Sequence, residues 1–247
     1  MFLLIALSAF LIAVITSASG VGGVLLTPAL MFFGGLGTHK AMATAMFSFF
    51  FVGALSSFIY YRYGSFDWKI TLPVLAGAFI SSYGGAYTAS LATATQLDGV
   101  LALLIIITSL YAIFPPKRAN LADKLTARNS AFLLFGIGLF TGFFSGMAGL
   151  GGGLISVPLM LIFGYAALPT IAASQVLQSV ISVSGSASTI ANGFVDFSLV
   201  WWMIICQLLG VLVGVRIAHA VPVAKLKRAV TWLCLSIGLL LAARAFL

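Results

Sequence analysis

The chain has 247 residues, of which 62% are apolar and only 6% charged, with a formal net charge of +8. A soluble domain carries about 25% charged residues, so this composition excludes one and leaves an integral, multi-pass membrane protein whose surroundings are the lipid bilayer. The basic residues lie mostly in short loops, with no basic helix and no aromatic-interleaved patch, which excludes nucleic acid as a partner.

The first expected element covers residues 2–18 and ends in small residues. It imitates a signal peptide, yet no Lys or Arg precedes Lys40, so the positive n-region is missing and the segment is expected to stay in the membrane. The cluster Gly20-Val21-Gly22-Gly23 then breaks the apolar run, and a second segment follows over 22–34 with Pro28 near its start. Glycine and proline are costly in helix interiors. In a bilayer, freed backbone groups must find partners in protein or in a water-lined cavity. Segments at 41–61, 69–91 and 97–114 complete this half.

Residues 117–129 form a basic connecting loop, and then the order repeats. Segments are expected at 131–147, 154–164, 170–191, 198–220 and 229–247. Gly149, Gly151, Gly152 and Gly153, followed by Pro158, restate the first break. Thr44 and Ser48 match Ser174 and Gln178, Gly64 to Asp67 matches Gly193 to Asp196, and Gly85 matches Gly214. The expected fold is therefore an all-α polytopic membrane protein of two homologous halves, 1–116 and 130–247. A break duplicated at matching positions points to a transporter's binding site.

In each half the second segment is too short for a comfortable crossing of about 20 residues. If the break is a hairpin, each half is a Gly-broken helical hairpin plus three transmembrane helices, and the repeats are inverted. If each pair makes one broken crossing, the repeats are parallel. Loop charges favour inversion: Arg62, Lys69, Lys117, Arg118, Lys124, Arg128, Lys225, Lys227 and Arg228 then share one side, against Lys40 and Arg244. Both termini are then expected outside. Two full crossings per pair would give the same sidedness.

The breaks can carry chemistry. Amides at the start of the short helices, at Gly22 and Gly23 and at Gly151, Gly152 and Gly153, would point at an anion. The alternative is that the glycines only let helices approach closely. The third segment of each half adds side chains. Ser174, Gln178, Ser182 and Ser186 recur every four residues and share one helix face, with Gln175 beside them. Thr44, Ser48 and Ser56 form the matching row. Neutral donors suit a small anion that must be bound and released; the alternative is hydroxyls bonded to their own or a neighbouring helix. Arg216 and His39 are candidates for a gate or for coupling, although Arg216 near a segment end also reads as a snorkelling side chain. Asp67 and Asp196 read as helix N-caps.

Enzyme chemistry finds little support. Gly142 to Gly146 superficially resembles an intramembrane serine protease motif around Ser145, but the first half lacks it. Cys206 and Cys234 stand alone, and no metal-ligand spacing, nucleotide motif or cofactor motif occurs, so no metal and no cofactor are expected.

The repeated glycine motif is what the chain shares with a known family. Gly20, Gly22, Gly23 and Pro28, then Gly149, Gly151, Gly152, Gly153 and Pro158, with Ala43-Thr44 and Ala173-Ser174, resemble the TauE/SafE family of membrane transporters across essentially the whole chain. Val24 stands where the second repeat continues its glycines, so the first turn is expected to be the tighter one. The resemblance implies a secondary transporter for a small anionic substrate, a sulfur-containing oxyanion such as sulfite, sulfoacetate or another sulfonate, acting in a bacterial cytoplasmic membrane. Its shell would be Gly20, Gly22, Gly23, Thr44, Ser48, Gly151, Gly152, Gly153, Ser174, Gln175 and Gln178. A passive anion channel, an intramembrane enzyme, a partner subunit and assembly into a homo-oligomer remain open alternatives.

Overall fold

Every apolar segment expected among the described residues folds as a helix. A computed structural model describes residues 2–113 and 125–220. The helices are α1 (Phe2–Ser19), α2 (Leu26–Gly34), α3 (Thr38–Arg62), α4 (Trp68–Leu91), α5 (Ala94–Ile113), α6 (Ala127–Ala148), α7 (Gly153–Ile162), α8 (Ala167–Ala191) and α9 (Phe197–Ala220). The expected segment at 229–247 and most of the connecting loop lie outside the described residues. Helix α6 starts at Ala127, inside the stretch expected as loop through 129. Among the described residues, four helices, within α3, α6, α8 and α9, are long and apolar enough to cross a membrane.

Local chemistry sets the boundaries. Asp67 caps α4 by accepting from the Lys69 amide at 2.9 Å. Asp196 caps α9 by accepting from the Ser198 and Leu199 amides at 3.0 and 3.3 Å. Both aspartates thus satisfy orphan amides of a first helical turn. The two breaks differ as the Val24 position suggests. Gly22–Leu25 forms a 3-10 turn leading into α2, a tighter winding than the α-helix. In the second repeat Gly152 takes φ 77° and α7 starts at once, a conformation open to glycine at little cost.

The chain doubles back at each break. Ser130, at the start of α6, lies 2.6 Å from the Tyr165 hydroxyl just beyond α7. In the first half, a Cβ on Gly34 at the end of α2 would meet Ile5 near the start of α1 at 3.8 Å.

Glycine rows decide how helices pair. In α6, Gly138, Gly142 and Gly146 lie against the Val74, Ala78 and Ser82 carbonyls of α4, and Gly77 and Gly85 of α4 lie against the Phe135 and Phe143 carbonyls of α6. Residue numbers rise together, so α4 and α6 run parallel. Gly210 and Gly214 place α9 against the Phe10 and Val14 carbonyls of α1, again parallel. Small residues four apart permit this backbone-to-backbone approach, which maximises packing where lipid supplies no hydrophobic drive. Helices α3 and α8 cross at the centre in opposite directions. Gly53 meets Gln175 and Ser179 while Met46 meets Gly185. Exchanging α1–α4 for α6–α9 leaves the packing partners unchanged: α1 on α9 becomes α6 on α4, and α3 on α9 becomes α8 on α4. Phe58, Ile80, Leu91 and Trp202 face outward, as suits a lipid-facing surface.

Candidate functional site

The two glycine breaks touch. A Cβ added to Gly153 would overlap the carbonyl oxygen of Gly20, so the turns meet backbone to backbone. Gly20 closes α1 with φ 78° and lies against Ser174 of α8 and Val157 of α7. Gly149 closes α6 with φ 65° and lies against Met42 of α3. Each half's break is therefore seated on the central helix of the other half. Both breaks are buried from Gly22 to Leu26 and from Gly149 to Pro158. Amides at the first turn of such short helices lack intrahelical carbonyls and form an electropositive end.

Side chains of α8 surround this junction. Gln175 is fully buried and donates from Nε2 to the Thr16 carbonyl at 3.0 Å. Its Oε1 has no partner and is left as an acceptor. Gln178 is 1% exposed, packs its amide over Gly151, and leaves Nε2 unpartnered. The buried hydroxyls of Ser182 and Ser186, one and two turns further along α8, are also unpartnered. An unsatisfied buried polar atom costs about 1–3 kcal/mol, so a row of them marks a surface suited to a polar occupant. Ser174 instead donates to its own helix, to the Ile171 carbonyl at 2.7 Å.

The α3 row is drawn in less. Ser48 donates to the Ala45 carbonyl at 2.8 Å. The Thr44 hydroxyl accepts from the Asp196 amide at 3.0 Å, which ties it to the loop before α9. Gly23 lies against Phe49, Gly22 against Ile15 and Thr16 of its own hairpin, and Gly152 against Leu177 and Ile181. The expected residues therefore divide: Gly20, Gly151, Gly153, Ser174, Gln175 and Gln178 gather at the junction, and Thr44 lies toward one end.

A small cleft reaches the second break, lined among others by His39, Met42, Met46, Met147, Gly149 and Phe194. His39 stacks on Phe194 with centroids 5.2 Å apart. Arg216 is exposed on α9 and stays outside the junction. At the loop edge, the Ser198 hydroxyl holds the Asp196 carboxyl below its ordinary range, with Lys40 adding to the effect. Ser145 is buried and its hydroxyl meets no histidine or other partner. Among the described residues no cluster of His, Cys, Asp or Glu could hold a metal ion.

Sequence reasoning missed three features. The Thr16 carbonyl receives both Gln175 and the Gly20 amide, and no backbone acceptor announces itself in a sequence. Tyr60 is fully buried and donates to the Ser17 carbonyl at 2.8 Å; it has no aromatic counterpart in the other half. Gln207, 1% exposed with both amide atoms unpartnered, lies on the face of α9 that packs inward. A lone amide in an apolar segment was the available signal for it.

The family described as Sulfite exporter TauE/SafE matches residues 5–241. The chain is 26% identical over 249 residues to the "Probable membrane transporter protein YdhB" of Bacillus subtilis (strain 168), covering 97% of this chain and 99% of that protein. It is 26% identical to MJ0441 of Methanocaldococcus jannaschii, covering 72% of this chain and 68% of that one. It is also 26% identical to YfcA of Escherichia coli (strain K12), covering 85% and 77%, and both relatives carry the same description. No solved structure matches.

Proposed function

The chain belongs to the sulfite exporter TauE/SafE family, and from that premise we propose that it is a secondary transporter moving a small sulfur-containing oxyanion across the cytoplasmic membrane by alternating access. The family is one of multi-pass membrane transporters, not enzymes. The observation that carries the finer reading is the contact between the two breaks beside Gln175 and Gln178. The free Nε2 of Gln178 supplies a donor to an anion, and the positive end of α7 adds its dipole, its Gly153 amide already donating to the Gly151 carbonyl at 2.9 Å. The free Oε1 of Gln175 accepts from a water or a hydroxyl of the substrate. Neutral donors bind more weakly than a cationic clamp, which favours release on the far side.

The halves act as inverted repeats in this reading. Support comes from α3 and α8, equivalent elements that cross in opposite directions, and from breaks at which the chain doubles back. A two-fold axis in the membrane plane relates such halves, and rocking one against the other exposes a central site to each face in turn. Loop charges support this reading with the α3–α4 loop, bearing Arg62 and Lys69, in the cytoplasm and the start of α1 outside.

Uptake of labelled sulfite, sulfoacetate, thiosulfate and taurine into proteoliposomes, with and without a proton gradient, tests the proposal. Saturable uptake of at least one is expected. Uptake of none under either condition overturns the sulfur-anion reading. Currents far above carrier turnover in planar bilayers would replace it with a passive channel.

A further inference from the structure

The cleft and a hydrogen-bonded cluster fall at equivalent sequence positions of the two halves. Ser90, Gly146, Gly149, Thr189 and Phe194 line the cleft. The offset that carries Gly149 to Gly20 carries Gly146, Thr189 and Phe194 to Ser17, Tyr60 and Ser65, and carries His219 to Ser90.

These counterparts are bonded in pairs. The Tyr60 hydroxyl donates to the Ser17 carbonyl at 2.8 Å, and both residues are fully buried. His219 holds Ser65 at 3.0 Å through Nε2 and the Val215 carbonyl at 2.8 Å through Nδ1. A carbonyl only accepts, so Nδ1 carries a proton, and in the neutral imidazole Nε2 accepts from the Ser65 hydroxyl. The Tyr63 ring stacks on His219 at 4.3 Å. One turn inward on α3, Ser56 is buried with an unpartnered hydroxyl.

We propose that Tyr60, Ser65 and His219 form the closed gate of the transport path on the face bearing Arg62 and Lys69, and that the cleft at His39 and Phe194 is its open mouth on the opposite face. The proposal rests on the transport reading above. From the mouth, the unpartnered hydroxyls of Ser186 and Ser182 lead along α8 to Gln178 and the glycine junction; Ser56 continues the path to Tyr60. The gate bonds join the end of α3 and its loop to α1, at Ser17, and to α9, at His219. Gly210 and Gly214 hold α1 and α9 together backbone to backbone, so the pair moves as one body and both bonds break together.

Cysteine accessibility tests this in the full chain, with Cys206 and Cys234 changed to alanine. Ser56→Cys reports the sealed side and Thr189→Cys the mouth, each labelled by a membrane-impermeant methanethiosulfonate in oriented vesicles. Tyr60→Phe and Ser65→Ala each remove one gate bond and little volume. Each is expected to speed Ser56→Cys labelling about fivefold, the population change that one lost buried hydrogen bond produces. Thr189→Cys should label in the parent and gain no speed in either variant. Unchanged Ser56→Cys labelling in both variants, with uptake intact, overturns the gate and leaves the transport reading standing. Faster labelling at Thr189 as well overturns it in favour of general loosening. A labelling response in a parent that moves no anion sinks the transport reading and leaves a conformational latch.

Discussion

Gly153→Ala tests whether the junction of the two breaks is a built contact. Gly153 has an ordinary helical backbone, so a methyl group adds no conformational strain and the effect is one of crowding alone. Its Cβ would overlap the Gly20 carbonyl oxygen. Restoring an ordinary separation of about 3.5 Å would push the turns apart by roughly 1.5–2 Å. The obstacle is backbone on both sides, which cannot rotate away as a side chain can. Overpacking costs about 1–3 kcal/mol, and this site belongs at the upper end. At about 2–4 °C per kcal/mol for a chain of this size, melting in detergent should fall by roughly 5–10 °C, with loss of anion uptake. Gly136→Ala is the control. A Cβ there meets nothing within 4 Å, and the alanine preference of about 0.5–1 kcal/mol in a helix should leave melting equal or higher. Parent-like melting and uptake in Gly153→Ala would refute the claim that the breaks meet.

Gln178→Leu removes the unpartnered Nε2 over Gly151, and anion affinity measured by calorimetry should fall roughly tenfold to a hundredfold, as for loss of a hydrogen bond to a charge. Asp196→Ala removes the α9 cap, at a cost of about 1 kcal/mol. The folded Asp196 carboxyl is held below its ordinary value by the Ser198 hydroxyl. Its contribution is therefore present above the ordinary carboxylate range and is lost as pH falls through the lowered value. The melting difference between parent and variant should be constant near neutrality and vanish in strong acid. Ser145→Ala should retain uptake and melt no lower than the parent, because the buried hydroxyl it removes has no partner. Loss of all activity with anion binding intact would instead support an enzyme.

Much of the fold was legible. Residues expected at 69–91 and 198–220 form helices within a residue or two, because a bilayer admits only apolar segments with internally satisfied backbones. The caps at Asp67 and Asp196 were legible because they act over two or three residues. Gly142 and Gly146, set aside as a superficial protease likeness, belong to the row that seats α6 on the backbone of α4. Composition cannot tell a glycine that binds from one that packs, since both uses need only the missing Cβ.

The amino-acid sequence by itself determined the class of protein, the helical segments, the duplicated break and the polar row on α8. Each depends on neighbours within a few turns or on summed hydropathy. Only the tertiary structure decided that Gly20 meets Gly153, that Gln175 reaches Thr16, and that Tyr60 bonds the Ser17 carbonyl while Phe194 borders a cleft. Those pairings depend on the register between helices, which close glycine contacts between the two halves set across about sixty to two hundred residues of chain.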